Sequence, residues 1–176
     1  MTSEPTTLHR PGARRAGLGA ASLRAVANAI VRRTALWKPL VRYDADQRWF
    51  IRLYRTADVE AWLITWTRRQ GLELHDHGGS SAVAAVLEGE LTELWSDLAV
   101  PAEPLRRRRW ATGSVQALGP GHVHDVHNER ATPAASLHVY SPPLTAMTFY
   151  AHREPGLVRL HSEPARGPER PALEVA

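Results

Sequence analysis

Residues 82–95 read AVAAVLEGELTELW, two short apolar runs that meet at Glu88-Gly89-Glu90. A glycine between two such runs predicts a tight β-hairpin, because glycine adopts the positive φ that hairpin turns require. Similar runs, rich in Trp, Val, Ile, Leu and Tyr, recur between residues 49 and 160 and are separated by turn residues. Many short strands at regular spacing predict an all-β sandwich or barrel. The predicted strands are 49–55, 60–66, 73–77, 82–88, 90–95, 115–118, 123–126, 134–140, 147–152 and 157–160.

The ends of the chain differ from this pattern. Between Ala20 and Trp37 the apolar residues recur at helical spacing and predict one helix, 20–37, that packs on the domain. Residues 1–19 form a basic arm rich in Thr, Pro, Gly and Arg, and residues 162–176 are rich in Pro, Gly and Glu, so both are expected to be disordered. The chain of 176 residues is therefore expected to form one domain over 20–161.

The composition excludes several kinds of site. The chain has no cysteine, which rules out disulfides, zinc–thiolate sites, iron–sulfur clusters and a cysteine nucleophile. Any metal must therefore be held by His, Asp or Glu. No apolar run approaches the ~20 residues of a membrane-spanning helix, and the N-terminus lacks the apolar core of a signal peptide. We expect a cytoplasmic protein with no membrane partner.

The net charge of +4 is concentrated near the N-terminus. Residues 1–40 carry seven basic residues and one acid, whereas residues 41–176 carry fifteen basic and seventeen acidic residues. Arg106 to Arg109 form the dense basic run of the remaining chain. Such charge suits nucleic acid, but no recognition motif with interleaved aromatic residues accompanies it. We therefore interpret these segments as a solvated arm and an exposed loop, and we expect no nucleic-acid partner.

The nine histidines include two close pairs, His75/His77 and His122/His124. Side chains two residues apart on a strand point to the same face, so His75 and His77 reach one ion while Asp76 is turned away. A third ligand must come from a distant strand. His124 supplies it in this hypothesis, and His122, in register with it, is the alternative. Neutral imidazoles without a thiolate leave Fe(II), Ni(II), Cu(II), Mn(II) and Zn(II) all open as the metal.

Both pairs lie in stretches that resemble the cupin motifs. Gly71-x3-His75-x-His77-x11-Gly89 resembles the first motif, and Gly113-x6-Pro120-Gly121-x2-His124-x3-Asn128 resembles the second. The resemblance implies a cupin double-stranded β-helix, or jelly-roll barrel, with an N-terminal helical segment and a metal between its sheets. The glutamate that usually follows His-x-His is absent, so the implied metal site has three histidines and no carboxylate.

Residues 133–143, PAASLHVYSPP, make the sequence similar to the bacterial type of the cysteine dioxygenase family of thiol dioxygenases. The similarity extends from about Trp49 to Tyr150. It implies an Fe(II)-dependent oxidoreductase that oxidises L-cysteine with O2 to cysteine sulfinic acid, with iron on His75, His77 and His124. Its partners would be a small thiol and O2, and the protein would be a monomer.

The same resemblance implies roles for further side chains. Arg52 falls where the family places the arginine that pairs with the substrate carboxylate, and Arg55 is the alternative if the alignment shifts. Related mercaptopropionate dioxygenases tend to carry Gln at this position, so Arg52 favours cysteine as the substrate. Tyr140 matches the tyrosine whose hydroxyl points at the iron-bound ligands. His138 matches the histidine that orients this tyrosine, and Ser136 follows it in the same chain of contacts.

One departure from the family concerns this tyrosine. Animal members cross-link it to a cysteine shortly after His-x-His, whereas Ala82 stands at that place here. The thioether is therefore excluded. Two alternatives remain open: a dioxygenase of another small thiol such as 3-mercaptopropionate, and a cupin that binds metal without turnover.

Overall fold

The computed structural model describes residues 17–165 as two antiparallel β-sheets preceded by short helices. The helices are α1 (Ala20–Arg32) and α2 (Thr34–Trp37), followed by a 3-10 turn at Lys38–Leu40. Neither helix has the length and apolarity that a membrane-spanning helix needs. The strands are β1 (Phe50–Arg55), β2 (Glu60–Trp66), β3 (Gly71–His75), β4 (Ser81–Glu88), β5 (Glu90–Asp97), β6 (Arg106–Ala111), β7 (Val115–Leu118), β8 (His122–His127), β9 (Ala134–Ser141), β10 (Ala146–Arg153) and β11 (Gly156–Pro164).

Strands that are adjacent in the sequence often lie in different sheets. Sheet A has the order β1-β2-β9-β4-β7, and sheet B has the order β11-β10-β3-β8-β5-β6. The predicted hairpin at Gly89 is therefore wrong, because β4 pairs with β7 and β9 whereas β5 pairs with β6 and β8. Gly89 is instead a corner where the chain passes from sheet A to sheet B. It has a φ of +75°, and a Cβ there would lie 2.5 Å from the Pro133 carbonyl oxygen.

Sheet A is buried on both faces. Its outer face packs against α1, whose Leu23 and Ala27 belong to the same apolar cluster as Leu63 and Leu137. Its inner face packs against sheet B around Trp66 and Trp110. All eight residues of the central strand β9 are consequently buried. Polar side chains on the inner face of β9 therefore point into the space between the sheets.

The boundaries at the N-terminus differ from the prediction. The predicted helix 20–37 is broken at Arg33, whose φ of −93° and ψ of 66° lie outside the helical region. The break turns the buried Trp37 onto the core, where its indole N–H donates to the Val31 carbonyl at 3.1 Å. Within the predicted arm 1–19, the Leu18 amide donates to Ser141 Oγ at 2.8 Å.

The predicted tail 162–176 also differs, since β11 continues to Pro164 and pairs with β10. The rest of the two expectations, on residues 1–16 and 166–176, lies outside the described residues.

The run Arg106 to Arg109 forms most of β6, an edge strand, and the predicted exposed loop is therefore wrong. The arginine run did not look like a strand in the sequence, because the acidic residues that pair with it lie elsewhere in the chain. The four guanidinium groups face Glu103, Glu129, Glu93 and Glu90 in turn.

Candidate metal centre

Three histidines converge between the sheets. His75 ends β3, His77 follows it in the next turn, and His124 lies within β8 directly opposite His75. One ring nitrogen of each lies within 4.8 Å of the others, and Nε2 of His77 is 3.2 Å from Nε2 of His124. Neighbouring nitrogens on one ion are about 3 Å apart when the metal–nitrogen bonds are about 2.1 Å. The three imidazoles therefore fit a single metal ion.

The turn that carries His77 is held by Asp76, whose carboxylate bonds to Gly78, Thr148 and Tyr150 outside the histidine cluster. One Asp76 carboxylate oxygen accepts the Gly78 amide at 2.8 Å and the Thr148 amide at 3.2 Å. The other accepts the Tyr150 hydroxyl at 2.8 Å. Gly78 has a φ of +61°, and a Cβ there would lie 2.6 Å from a backbone oxygen. These contacts fix the backbone of the turn, so His77 reaches the centre although the strand has ended at His75.

The second nitrogen of two ligands is also engaged. His75 Nδ1 donates to the Glu73 carbonyl at 2.7 Å, which leaves Nε2 free for the metal. His124 Nδ1 lies 2.9 Å from Glu93 Oε1. Nδ1 of His77 has no hydrogen-bond partner among residues 17–165. Contacts of this kind orient a ligating imidazole and select the nitrogen that binds.

Burial keeps the three imidazoles neutral. It lowers the pKa of His75 to about 4, and it lowers the pKa of both His77 and His124 well below the ordinary histidine value. Because a metal binds the unprotonated imidazole, all three side chains are in the binding form at neutral pH.

His122 does not reach the same point. Its Nε2 is 2.8 Å from Glu93 Oε1, and its ring stacks on Trp95 with centroids 5.2 Å apart. Glu93, His122 and His124 form a second close group, but its distances are those of hydrogen bonds. Arg108 contacts the other oxygen of Glu93 and already supplies a positive charge there. The structure thus brings His124, rather than its alternative His122, to His75 and His77.

A chain of hydrogen bonds connects Trp66, Ser136, His138 and Tyr140. The Trp66 indole N–H can only donate, and it lies 2.9 Å from Ser136 Oγ. The Ser136 hydroxyl is 2.9 Å from His138 Nε2, and His138 Nδ1 is 3.4 Å from the Tyr140 oxygen. Burial lowers the pKa of His138 to about 3, so the ring is neutral and carries one N–H. With the ring proton on Nδ1, Ser136 donates to Nε2 and Nδ1–H faces the Tyr140 oxygen, which leaves the Tyr140 proton free. With the ring proton on Nε2, the ring donates to Ser136 and Nδ1 accepts from Tyr140.

A cavity of about 100 Å³ adjoins these residues. His75, His124, His138 and Tyr140 contribute its polar wall, and burial raises the pKa of Tyr140, so its hydroxyl stays protonated. The charged residue of its described lining is Arg48. The other lining residues are Phe50, Trp62, Ile64, Trp66, Leu72, Val126, Leu144, Met147 and Ala165.

The arginines near the cavity differ in their surroundings. The Arg48 guanidinium carbon is 5.0 Å from the Trp66 ring centroid and 5.9 Å from that of Phe50. No carboxylate of the described chain forms an ion pair with Arg48. Arg52, which the sequence suggests for substrate binding, is buried beside Glu60, 4.0 Å from its carboxylate, and is not among the lining residues.

The alternative arginine, Arg55, is also engaged by the same acid. Its Nη1 lies 2.9 Å from the carboxylate of Glu60. Glu60 is fully buried and accepts the Leu144 amide at 2.9 Å. Arg52 and Arg55 thus both face the same buried carboxylate.

Two residues of the site, Glu93 and Arg48, were not predicted from the sequence. Glu93 shares a strand face with Leu91, and both are fully buried. A glutamate that alternates in phase with apolar residues along a strand was the sequence signal that could have identified it. Arg48 precedes β1 and has no periodic signal, because its position depends on the aromatic side chains that enclose it.

Comparison with known proteins agrees with this architecture. The family model described as "Cysteine dioxygenase type I" matches residues 13–153. The solved structure of TT1209 from Thermus thermophilus is 28% identical, with a TM-score of 0.52, and the match covers 60% of this chain and 92% of that one. A structure of oxalate oxidase matches with 16% identity and a TM-score of 0.54, covering 64% of this chain and 61% of that one. The predicted all-β double-stranded β-helix with N-terminal helices is confirmed.

Proposed function

The chain belongs to the cysteine dioxygenase type I family, and we propose that it is an Fe(II)-dependent dioxygenase that converts L-cysteine and O2 to cysteine sulfinic acid. The observation that carries the proposal is the convergence of three neutral imidazoles beside a small cavity that also contains a guanidinium group and a tyrosine hydroxyl. Both atoms of O2 end on sulfur. The sulfur loses four electrons and O2 gains them, so no further reductant is needed.

His75, His77 and His124 would hold the metal. Three nitrogen ligands with no carboxylate and no thiolate suit a divalent transition metal and leave positions open for other ligands. Bound ferrous iron would supply the redox chemistry between the thiol and O2. The protein binds the thiol, orients it and excludes water from an apolar cavity.

The size of the cavity supports a small substrate. The cavity has a volume of about 100 Å³ and is lined mainly by aromatic and aliphatic side chains. Cysteine or 3-mercaptopropionate matches this size better than a thiol-bearing peptide does. A small thiol and O2 are the proposed partners, and we keep the proposal of a cytoplasmic monomer.

We assign the carboxylate of the substrate to an arginine at the cavity. The sequence suggests Arg52, but the contacts favour Arg48, because Arg48 lines the cavity and Arg52 already faces Glu60. A guanidinium group between aromatic rings retains its charge and presents several N–H donors to a carboxylate.

Tyr140 is proposed to donate its hydroxyl proton to the oxygen species or to the substrate carboxylate, with the His138 ring proton on Nδ1 and with Ser136 donating to Nε2. Tyr140→Phe is expected to lower kcat for thiol oxidation about 100-fold, the effect of removing one positioned donor. Bound iron should stay at the wild-type level, since Tyr140 is not among the proposed ligands. Tyr43→Phe is the matched control, because the Tyr43 hydroxyl contacts Glu88 at the surface. Equal kcat values for the two variants would contradict the role.

The proposed reaction is tested by oxygen uptake. Protein reconstituted with Fe(II) without air is given L-cysteine, 3-mercaptopropionate or cysteamine, and sulfinate is detected by mass. We expect one O2 consumed per sulfinate formed, with L-cysteine the fastest substrate and both oxygen atoms derived from ¹⁸O2. Iron-loaded protein that consumes no O2 with any thiol would contradict the proposal and support a metal-binding cupin without turnover.

A second substrate is favoured by one observation. The described lining of the cavity contains no Asp or Glu to pair with the ammonium group of cysteine. If 3-mercaptopropionate is oxidised faster than cysteine, the alternative of another small thiol replaces L-cysteine while the reaction type stands.

A further inference from the structure

Glu93 is a fully buried carboxylate that connects the metal centre with the protein surface. Its Oε1 atom lies 2.9 Å from His124 Nδ1 and 2.8 Å from His122 Nε2. Its Oε2 atom contacts the guanidinium of Arg108, whose side chain is partly exposed. We infer that Glu93 is a positioning residue that fixes the ring and the proton of His124 so that Nε2 is free for the metal. The inference rests on the metal site of the proposed function.

The direction of the hydrogen bond follows from the chemistry of its members. An ionised carboxylate only accepts hydrogen bonds, so the neutral His124 ring must carry its proton on Nδ1. Nε2 then has its lone pair free on the side of His77, whose Nε2 is 3.2 Å away. Arg108, on the neighbouring strand, compensates the buried charge of Glu93. Glu93 therefore keeps its charge, because loss of the charge from one member of a buried ion pair is unfavourable. The contact therefore selects the tautomer that binds a metal.

A glutamine at position 93 would reverse this selection. The guanidinium of Arg108 only donates, so it attracts the carbonyl oxygen of the new amide. The amide NH2 group then faces Nδ1 of His124, which must accept. The proton of the His124 ring moves to Nε2, where it competes with the metal. Glu93→Gln is thus expected to weaken metal binding although residue 93 is not a ligand.

Two measurements test the inference. In metal-free protein labelled with ¹⁵N-histidine, wild-type His124 should show the Nδ1–H tautomer, and Glu93→Gln should show Nε2–H, with the resonance assigned by its loss in His124→Ala. Titration with Co(II) should give about 10–100-fold weaker binding for Glu93→Gln, the range seen when a contact behind a ligand is removed. Glu90→Gln is the matched control: it changes the same charge on the same strand, and Glu90 pairs with Arg109 and Arg130 away from the centre.

An Nε2–H tautomer at His124 in the wild-type protein would overturn the inference, and this measurement does not depend on whether Glu93→Gln folds. Equal Co(II) affinity for folded Glu93→Gln and Glu90→Gln would also overturn it. Neither measurement uses a thiol or O2. If the protein fails to oxidise any thiol, the proposed function fails while the tautomer of His124 is still decided by its own experiment.

Discussion

Replacement of His124 by alanine is expected to reduce bound Fe(II) to background and to abolish thiol-dependent O2 uptake with it. His124 contributes the Nε2 atom that lies 3.2 Å from Nε2 of His77, and its removal leaves two imidazoles from one short segment. Two such ligands do not retain an ion against buffer. The fold should persist, because the sheets pack around Trp66, Trp110 and their neighbours, which the substitution does not change. Iron per chain after anaerobic reconstitution and desalting is the measurement.

His122→Ala is the matched control for this experiment. His122 occupies the same strand two residues away, and it is also buried and also contacts Glu93. Its removal takes one of the three donors from Glu93 and leaves the His124 contact in place. Iron affinity should therefore change by less than about tenfold, the lower limit for losing a contact behind a ligand. Loss of iron from His122→Ala together with retention in His124→Ala would exchange the roles of the two residues.

The pairing of His75 with His77, two of the proposed metal ligands, was predictable from sequence because their spacing is local. Two residues separated by one on an extended segment project together, and this holds for His75 and His77 even though β3 ends at His75. The choice between His122 and His124 is a different problem, since both are buried on the same strand. It depends on the register of β8 against β3, where His75 faces His124. The cupin resemblance supplied this choice; periodicity alone left it open.

The errors arose where long-range pairing decides the structure. A glycine between two apolar runs serves a hairpin and a corner between sheets equally well, and only the partners of β4 and β5 distinguish them. Arginines 106–109 looked like a loop because Glu93, which faces Arg108, is fifteen residues away. Glu93 alternates in phase with the buried Leu91, which signals a buried acid but does not identify its partners. Its role follows only from the histidines that β8 places beside it.

Arg48→Gln is expected to lower kcat/KM for L-cysteine and 3-mercaptopropionate by about 10–100-fold, because hydrogen bonds to a charged group contribute about 1.5–3 kcal/mol and each 1.4 kcal/mol is tenfold. Cysteamine has no carboxylate, so its kcat/KM should stay close to the wild-type value. The measurement is the ratio of kcat/KM for cysteine to that for cysteamine. A ratio removes general effects on folding and metal content, which alter both substrates alike.

Arg52→Gln provides the decisive comparison, since it makes the same chemical change within the same region. Arg52 lies 4.0 Å from Glu60, and Glu60 keeps Arg55 and the Leu144 amide as partners when Arg52 is replaced. The variant should lose some stability and keep the wild-type preference for cysteine over cysteamine. The opposite result, with the preference erased by Arg52→Gln and retained by Arg48→Gln, would assign the carboxylate to Arg52 as the family resemblance implies. The structural argument for Arg48 would then fail, because an arginine already facing a buried carboxylate would have to turn toward the cavity when the substrate binds.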